Sequence, residues 1–352
     1  MKFNKSIFVF GTALLAAIAT SQADLELPDA SQLAVNKQRI GLTDITITYH
    51  RPLVNGRKVW GGIVPLGEVW RAGANENTTI KFSDAVSVEG QPLAKGTYGL
   101  HMIPTADSWT VIFSKMSSAW GSYTYKQEED ALRVNVKPHP IEMEEALEFD
   151  FEDLKPDSAK VTLKWEKIAV PFSVAINDAE TTVAHIRNQM RGRAQYEWDA
   201  LNDAAQFCVN KKVNLDEALK WADQSIQNEE RFENLSTKAD VLKAMNKPED
   251  AKKTWEKAIA KTTAPQLYSY ARRLMIDKKE AEAMEILKEV AKRYPESPFG
   301  HLANARLKSA AGDFAGAAED VKKAQAVAIS DQQRNALKPL LERLQAKQDI
   351  NK

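Results

Sequence analysis

The chain has one cysteine among 352 residues, Cys208, so no internal disulfide can form and stability must come from packing. Charge of one sign is also missing: 48 Lys and Arg meet 48 Asp and Glu. Such a chain has no broad attraction for nucleic acid or anionic lipid, and no nucleic-acid partner is expected. The five histidines, His50, His101, His139, His185 and His301, are scattered, with no two-His helical spacing and no Cys/His cluster. His50 and His101 could approach each other across strands, but a pair lacks a third ligand. No G-x-S-x-G elbow occurs, and Gly61-Gly62 leads into Ile63-Val64-Pro65 rather than a phosphate-binding helix. These absences point away from metal, cofactor and nucleophile chemistry.

Long apolar runs are scarce too. The most apolar stretch, Ile7 to Ile18, follows the basic residues Lys2 and Lys5 and precedes Ser21-Gln22-Ala23. It is shorter than the roughly 20 residues that span a bilayer. The pattern reads as a secretory signal peptide over 1–23, cleaved after Ala23, rather than a transmembrane anchor. With no cysteine near the cleavage site, a lipid-modified terminus is not expected. Loss of Lys2 and Lys5 with the leader leaves a net charge of about −2. The expectation is an exported protein, periplasmic or extracellular, without a transmembrane anchor after cleavage.

Beyond a lead-in at 24–39, the stretch 40–177 has a period of two. Ile45-Thr46-Ile47-Thr48-Tyr49 and Thr79-Ile80-Lys81-Phe82 alternate apolar and polar residues. Further strand candidates are Ala85 to Val88, Tyr98 to Ile103, Trp109 to Phe113, Leu132 to Val136, Leu147 to Phe151, Lys160 to Trp165 and Val170 to Ile176. Glu89-Gly90, Lys95-Gly96 and Lys155-Pro156-Asp157-Ser158 punctuate them as turns. Many short strands without a helical period between them predict an antiparallel β-sandwich or jelly-roll-like domain.

From Asp178 the period changes. A connecting helix is predicted over 178–195, with Asp178 as its N-cap and Gly192 near its end. Ala218, Ala251, Ala283 and Ala317 then recur at intervals of 33, 32 and 34 residues. Four residues after each stand Ala222, Trp255, Leu287 and Val321, and three beyond those Ser225, Ala258, Val290 and Ala324. Ala239, Ala271 and Ala305 lie twelve residues upstream of the last three alanines. Small residues at this period, where paired helices cross closely, predict about four tetratricopeptide-like repeats over 196–330, with an irregular helical bundle as the alternative. A capping helix and tail complete the chain over 331–352. The overall expectation is all-β followed by all-α, the second part an α-solenoid.

The densest stretch is Gly56 to Thr79, rich in glycine and proline, with Trp60 and Trp70 and a polar run containing Arg71, Asn75, Glu76 and Asn77. Its segments Gly56-Arg57-Lys58-Val59-Trp60-Gly61, Val64-Pro65-Leu66-Gly67 and Val69-Trp70-Arg71-Ala72-Gly73-Ala74-Asn75-Glu76 resemble the core motif of one family, the bacterial domain of unknown function 2911. Lys95-Gly96-Thr97-Tyr98, Trp109 to Phe113, Trp120-Gly121 and Leu132-Arg133-Val134 extend the resemblance over roughly 42–176. It implies a β domain in an exported protein, some members of the family carrying a helical repeat tail, and implies no activity.

Within this frame Trp109 and Trp165 are expected in the core, while Trp70 and Trp120, beside glycines, offer a platform for a sugar or peptide. Arg71 can present a fork of donors to carboxylate or phosphate, with Asn75 and Glu76 beside it; alternatively these residues only pin the loop. The candidate ligand set is therefore Trp70, Arg71, Asn75, Glu76 and Trp120, for a small polar or sugar ligand. On the inner repeat helices, Asn202, Lys238, Arg272 and Asn304 are the candidates to line a groove for a protein or peptide partner. The reading is an exported, non-enzymatic binding or scaffold protein. Its rivals are a carbohydrate-active hydrolase using Trp70, Arg71, Asn75 and Glu76, and a purely structural envelope protein. No catalytic residue, metal or cofactor is called for.

Overall fold

A computed structural model describes residues 28–352, so the signal-peptide reading lies outside the described residues. The chain divides into two compact units, Met1–Asp178 and Ala179–Lys352.

The first unit is built from antiparallel strands. In chain order they are β1 (Gln32–Ile40), β2 (Thr43–Arg51), β3 (Thr79–Phe82), β4 (Val86–Val88), β5 (Gln91–Leu93), β6 (Gly96–Pro104), β7 (Trp109–Ser114), β8 (Asp130–Val136), β9 (His139–Lys155) and β10 (Ser158–Ala175). One six-stranded sheet runs β1-β2-β3-β6-β7-β8 and one four-stranded sheet runs β5-β4-β10-β9. The buried core draws on both: Ile45, Ile47, Ile80, Leu100, Met102, Val111 and Phe113 from the first, Phe149, Val161, Leu163, Trp165 and Phe172 from the second. Alternation carries this arrangement, because side chains of period two meet across the sandwich while their neighbours face outward. Glu89 and Gly90 both take positive φ, 48° and 77°, in the two-residue turn that joins β4 to β5.

Two departures from the sequence reading have simple causes. The lead-in 24–39 contains strand β1, which pairs along its whole length with β2. Its apolar residues are few, and Leu33 and Val35 are exposed, so pairing rather than burial makes it a strand. The stretches Lys160 to Trp165 and Val170 to Ala175 belong to one strand, β10, which ends just before Ile176. Its register against β9 shifts around Glu166, whose φ is +55°. That bulge carries the strand through the polar Glu166-Lys167 pair between the two candidates.

The second unit is helical: α1 (Asp178–Gln189), α2 (Trp198–Lys211), α3 (Leu215–Asn228), α4 (Phe232–Ala244), α5 (Pro248–Ala260), α6 (Ala264–Ile276), α7 (Glu280–Arg293), α8 (Pro298–Ala310), α9 (Phe314–Ala326), α10 (Asp331–Ala336) and α11 (Lys338–Gln345). Helices α2/α3, α4/α5, α6/α7 and α8/α9 pack as successive hairpins, an α-solenoid arrangement. The small residues singled out by spacing are where close crossing requires them. Ala218, Ala222, Ala258, Ala271, Ala283, Ala305, Ala317 and Ala324 are all completely buried. Ser297, Asp313 and Ser330 each accept a backbone N–H at the start of α8, α9 and α10. Cys208 is fully buried beside Leu201, Ala205 and Ala222.

The capping segment forms two short helices, α10 and α11, rather than one continuous helix. Pro339, in the first turn of α11, has no N–H and clashes with a preceding helical carbonyl, so the helix restarts there. After α11 the tail is held down: Arg306 donates to the Ile350 carbonyl at 2.7 Å and to Tyr268 Oη at 2.7 Å, and Ile350 is 4% exposed.

Candidate functional site

The segment after β2 runs beside β6 without forming a regular strand. Trp70 and Met102 exchange backbone hydrogen bonds of 2.8 Å, and the Leu100 N–H donates to the Thr78 carbonyl. Between those anchors the chain folds back on itself, with Thr78 Oγ1 donating to the Ala72 carbonyl at 3.1 Å. A Cβ at Gly73 would sit 2.6 Å from Thr78 Oγ1, so only glycine allows this approach. Asn75 takes φ +52°, a left-handed conformation that Asn tolerates.

Leu100 and Met102 face the core, so Gly99 and His101 face the opposite side of the sheet. There His101 is 2% exposed, its Nδ1 lying 2.8 Å from Ser122 Oγ. The Tyr125 ring lies 5.4 Å away, and Tyr125 Oη donates to Asp130 at 2.7 Å. Burial pushes the His101 imidazole down to about 4, against the opposing pull of the Asp130 charge. A Cβ placed on Gly99 would lie 2.5 Å from Asn77 Nδ2 and 3.2 Å from His101 Nε2. Asn77 and His101 thus converge over one glycine.

Arg71 lies under the loop that covers this face. A Cβ on Gly121 would be 3.1 Å from its Nη1, and Gly121 has φ +67°. Glycine at 121 therefore lets Arg71 Nη1 and the edge of the Tyr123 ring approach the same point, with Trp120 stacked on Tyr123. Their rings stack at 5.7 Å with 18° between planes, and they are 62% and 77% exposed. Arg71 Nε, Asn75 Nδ2 and Asn77 Oδ1 are buried without a hydrogen-bond partner among the described residues. Two donors and one acceptor in seven residues are left unmet, where buried polar atoms ordinarily are not.

The sequence-derived set separates here. Arg71 meets Gly121 beside Tyr123, Trp120 stacks on Tyr123, and Asn75 lies in the same loop as Arg71 with its Nδ2 unmet. Trp70 instead packs against the core, stacked on Trp165 at 5.9 Å and edge-on to Trp60 at 5.8 Å, its Nε1 donating to the Gly73 carbonyl. Glu76 is exposed and its carboxylate lies 3.3 Å from His50 Nδ1. His50 Nε2 lies 3.6 Å from Asp29 on the other side, so the two histidines have separate partners. The described residues contain no group of three or more His, Cys, Asp or Glu arranged to hold a metal. Asn77, His101 and Ser122 belong with Arg71 and were missed as site residues. The available signal was a histidine out of phase with Leu100 and Met102 and flanked by Gly99.

In the helical unit, cavities of about 360, 440, 480 and 170 Å³ all border α4, and all but the 480 Å³ one also border α6. Tyr270 borders three of them and Asp240 three. Phe232, Trp255 and Tyr270 form an aromatic group with centroids 5.5–6.0 Å apart. Burial and then the Asp240 charge raise the Tyr270 hydroxyl, and burial raises Asp240 despite Lys279 and Lys243 nearby. The four polar candidates named on the inner helices do not line these cavities. Lys238 pairs with Asp223 at 2.6 Å, Arg272 is exposed, Asn304 is half-buried, and Asn202 Oδ1 is buried without a partner among the described residues. Gln206, Asn210, Ser236, Asp240, Tyr270 and Arg273 line them instead. One position along a helix turns a side chain by about 100°, enough to exchange Arg272 for Arg273.

Residues 31–174 match the model of a family described as a protein of unknown function, DUF2911. The family resemblance read from the motifs between Gly56 and Val134 thus coincides with the β unit. A comparison with curated proteins returned no match. Part of the chain is similar to solved helical-repeat structures. One is YrrB, a TPR protein with an unusual peptide-binding site (15% identity, 46% of this chain, 84% of that chain, TM-score 0.24). Another is a tetratricopeptide repeat protein from Parabacteroides merdae (16% identity, 48% and 65%, TM-score 0.28). A third is PilW, a widely conserved type IV pilus biogenesis factor (19% identity, 48% and 80%, TM-score 0.26). TM-scores of that size carry no argument about ligand, partner or location.

Proposed function

We propose that this chain is an exported, non-enzymatic binding protein whose helical unit takes a protein or peptide partner and whose β unit is a ligand or docking module. The carrying observation is the cavity cluster around Asp240 and Tyr270, which combines aromatic surface with charged and amide groups on α2, α4 and α6. Stacked helical hairpins bind extended segments through such faces, since side-chain pockets add specificity to a rigid groove. The domain limits that go with this reading are a cleaved leader over 1–23, the β unit and the repeats with their cap.

A peptide-display selection against the mature chain tests the groove. Selected peptides should bind at least tenfold more weakly to Arg273→Glu, a groove-facing charge, and equally well to Arg272→Glu, one position away. Equal loss in both variants, or in neither, overturns the assignment. Export has its own readout: the mature protein should begin at Asp24 by intact mass, and retention of residues 1–23 rejects that part of the reading.

A further inference from the structure

We propose that Arg71, Asn75, Asn77 and His101, beside the Trp120/Tyr123 pair, form a binding site for an acidic sugar, a pyranose bearing a carboxylate. The proposal rests on the β unit being a ligand module and names the class of ligand. Arg71 makes no ion pair and no hydrogen bond among the described residues, although Nε is buried. A guanidinium held this way has its fork of donors ready for a carboxylate, the anion whose geometry it matches in two parallel hydrogen bonds. Asn75 Nδ2 is a second unmet donor close in sequence.

The remaining features ask for more than a bare anion. Asn77 is 7% exposed, and its Nδ2 donates to the Met116 carbonyl while Oδ1 is left without a donor. An unmet acceptor beside unmet donors suits a ligand carrying hydroxyl groups as well as a carboxylate. His101 presents Nε2 toward the same glycine as Asn77, its Nδ1 being engaged by Ser122. Beside Arg71 stands an exposed aromatic pair, Tyr123 brought close to Nη1 at Gly121 and Trp120 stacked on Tyr123. Flat aromatic faces in water take the apolar C–H face of a pyranose, and neither Trp120 nor Tyr123 has a core role to explain it. Carboxylate, hydroxyl and ring face together define the uronic acid class.

Calorimetric titration of the mature full chain with galacturonate and glucuronate tests this, with methyl galactoside and acetate as probes lacking the carboxylate or the ring. At least one uronate should bind saturably and each control at least tenfold more weakly. Arg71→Gln should weaken uronate binding by about tenfold or more. Trp120→Ala should weaken it severalfold; its side chain is largely exposed, so the variant folds. Absence of saturable binding by both uronates overturns the site, as does binding unchanged in both variants. Equal binding of methyl galactoside removes the carboxylate assignment. Stabilisation by neutral sugars or peptides alone rejects the ligand class but leaves the β unit a binding module, and the peptide groove is scored independently.

Discussion

Replacement of Trp109 by alanine separates a packing role for the tryptophans from a ligand-facing one. Trp109 is 2% exposed and its ring meets Trp60 edge-on at 4.8 Å. Burying an indole removes about 150–250 Å² from water, worth a gross ~4–6 kcal/mol at ~25 cal/mol per Å². Truncation also leaves a cavity that the sandwich fills only in part, so the net cost should be about 3–5 kcal/mol. Trp120 makes the contrast: 62% exposed, it loses chiefly its stacked contact with Tyr123, worth about 0.5–1.5 kcal/mol. In a unit of this size each kcal/mol moves the midpoint by about 2–4 °C, so Trp109→Ala should lower it by about 6–20 °C and Trp120→Ala by only a few. Differential scanning calorimetry of the mature chain, followed by near-ultraviolet circular dichroism, reads both. Equal shifts would refute the assignment of Trp109 to a packed core and of Trp120 to the surface.

Three further outcomes follow from the same structure. Burial lowers the His101 imidazole to about 4 from an ordinary ~6.5, so the folded state favours its neutral form. That stability is present above about pH 6.5 and is lost as pH falls toward 4. His101→Gln should therefore flatten the acid side of the stability–pH curve, and an unchanged slope would contradict it. Burial raises the Cys208 thiol to about 11, so it should resist a thiol-specific reagent at pH 8 until urea unfolds the helical unit; rapid labelling of folded protein would place it elsewhere. Ala271→Leu forces a larger side chain into a fully buried helix crossing and should cost about 1–3 kcal/mol in urea denaturation, whereas the exposed Arg272→Leu should be nearly neutral.

How much was legible in the sequence depends on the range of the interaction. The turn at Glu89-Gly90 and the alternation of β2 are local, so residue pattern alone identifies them. Strand β1 was not legible, because its exposed Leu33 and Val35 disguise a strand held by backbone pairing. The 18-residue β10 was hidden for a related reason: a bulge at Glu166 breaks the alternation without ending the strand. Among site residues, Arg71 and Asn75 were visible as polar residues in a glycine-rich loop. The approach of Asn77, in the same polar run, to His101 was not, since they meet only when β6 and the loop before β3 come together. The same holds for Trp70, whose place against Trp165 depends on the opposite sheet.

The sequence by itself determined the order of the two units and the small residues at the helix crossings, because period and side-chain volume are properties of the chain. It also carried the family motif from Gly56 to Glu76. Only the tertiary structure decided which side chains face one another. It turned Trp70 inward and left Trp120 out, set Arg273 rather than Arg272 at the cavities beside Tyr270, and brought Asn77 and His101 together over Gly99. Register, helix rotation and loop approach are set by contacts between residues distant in sequence, and a shift of one residue in a strand, or of about 100° on a helix, reverses what a side chain meets.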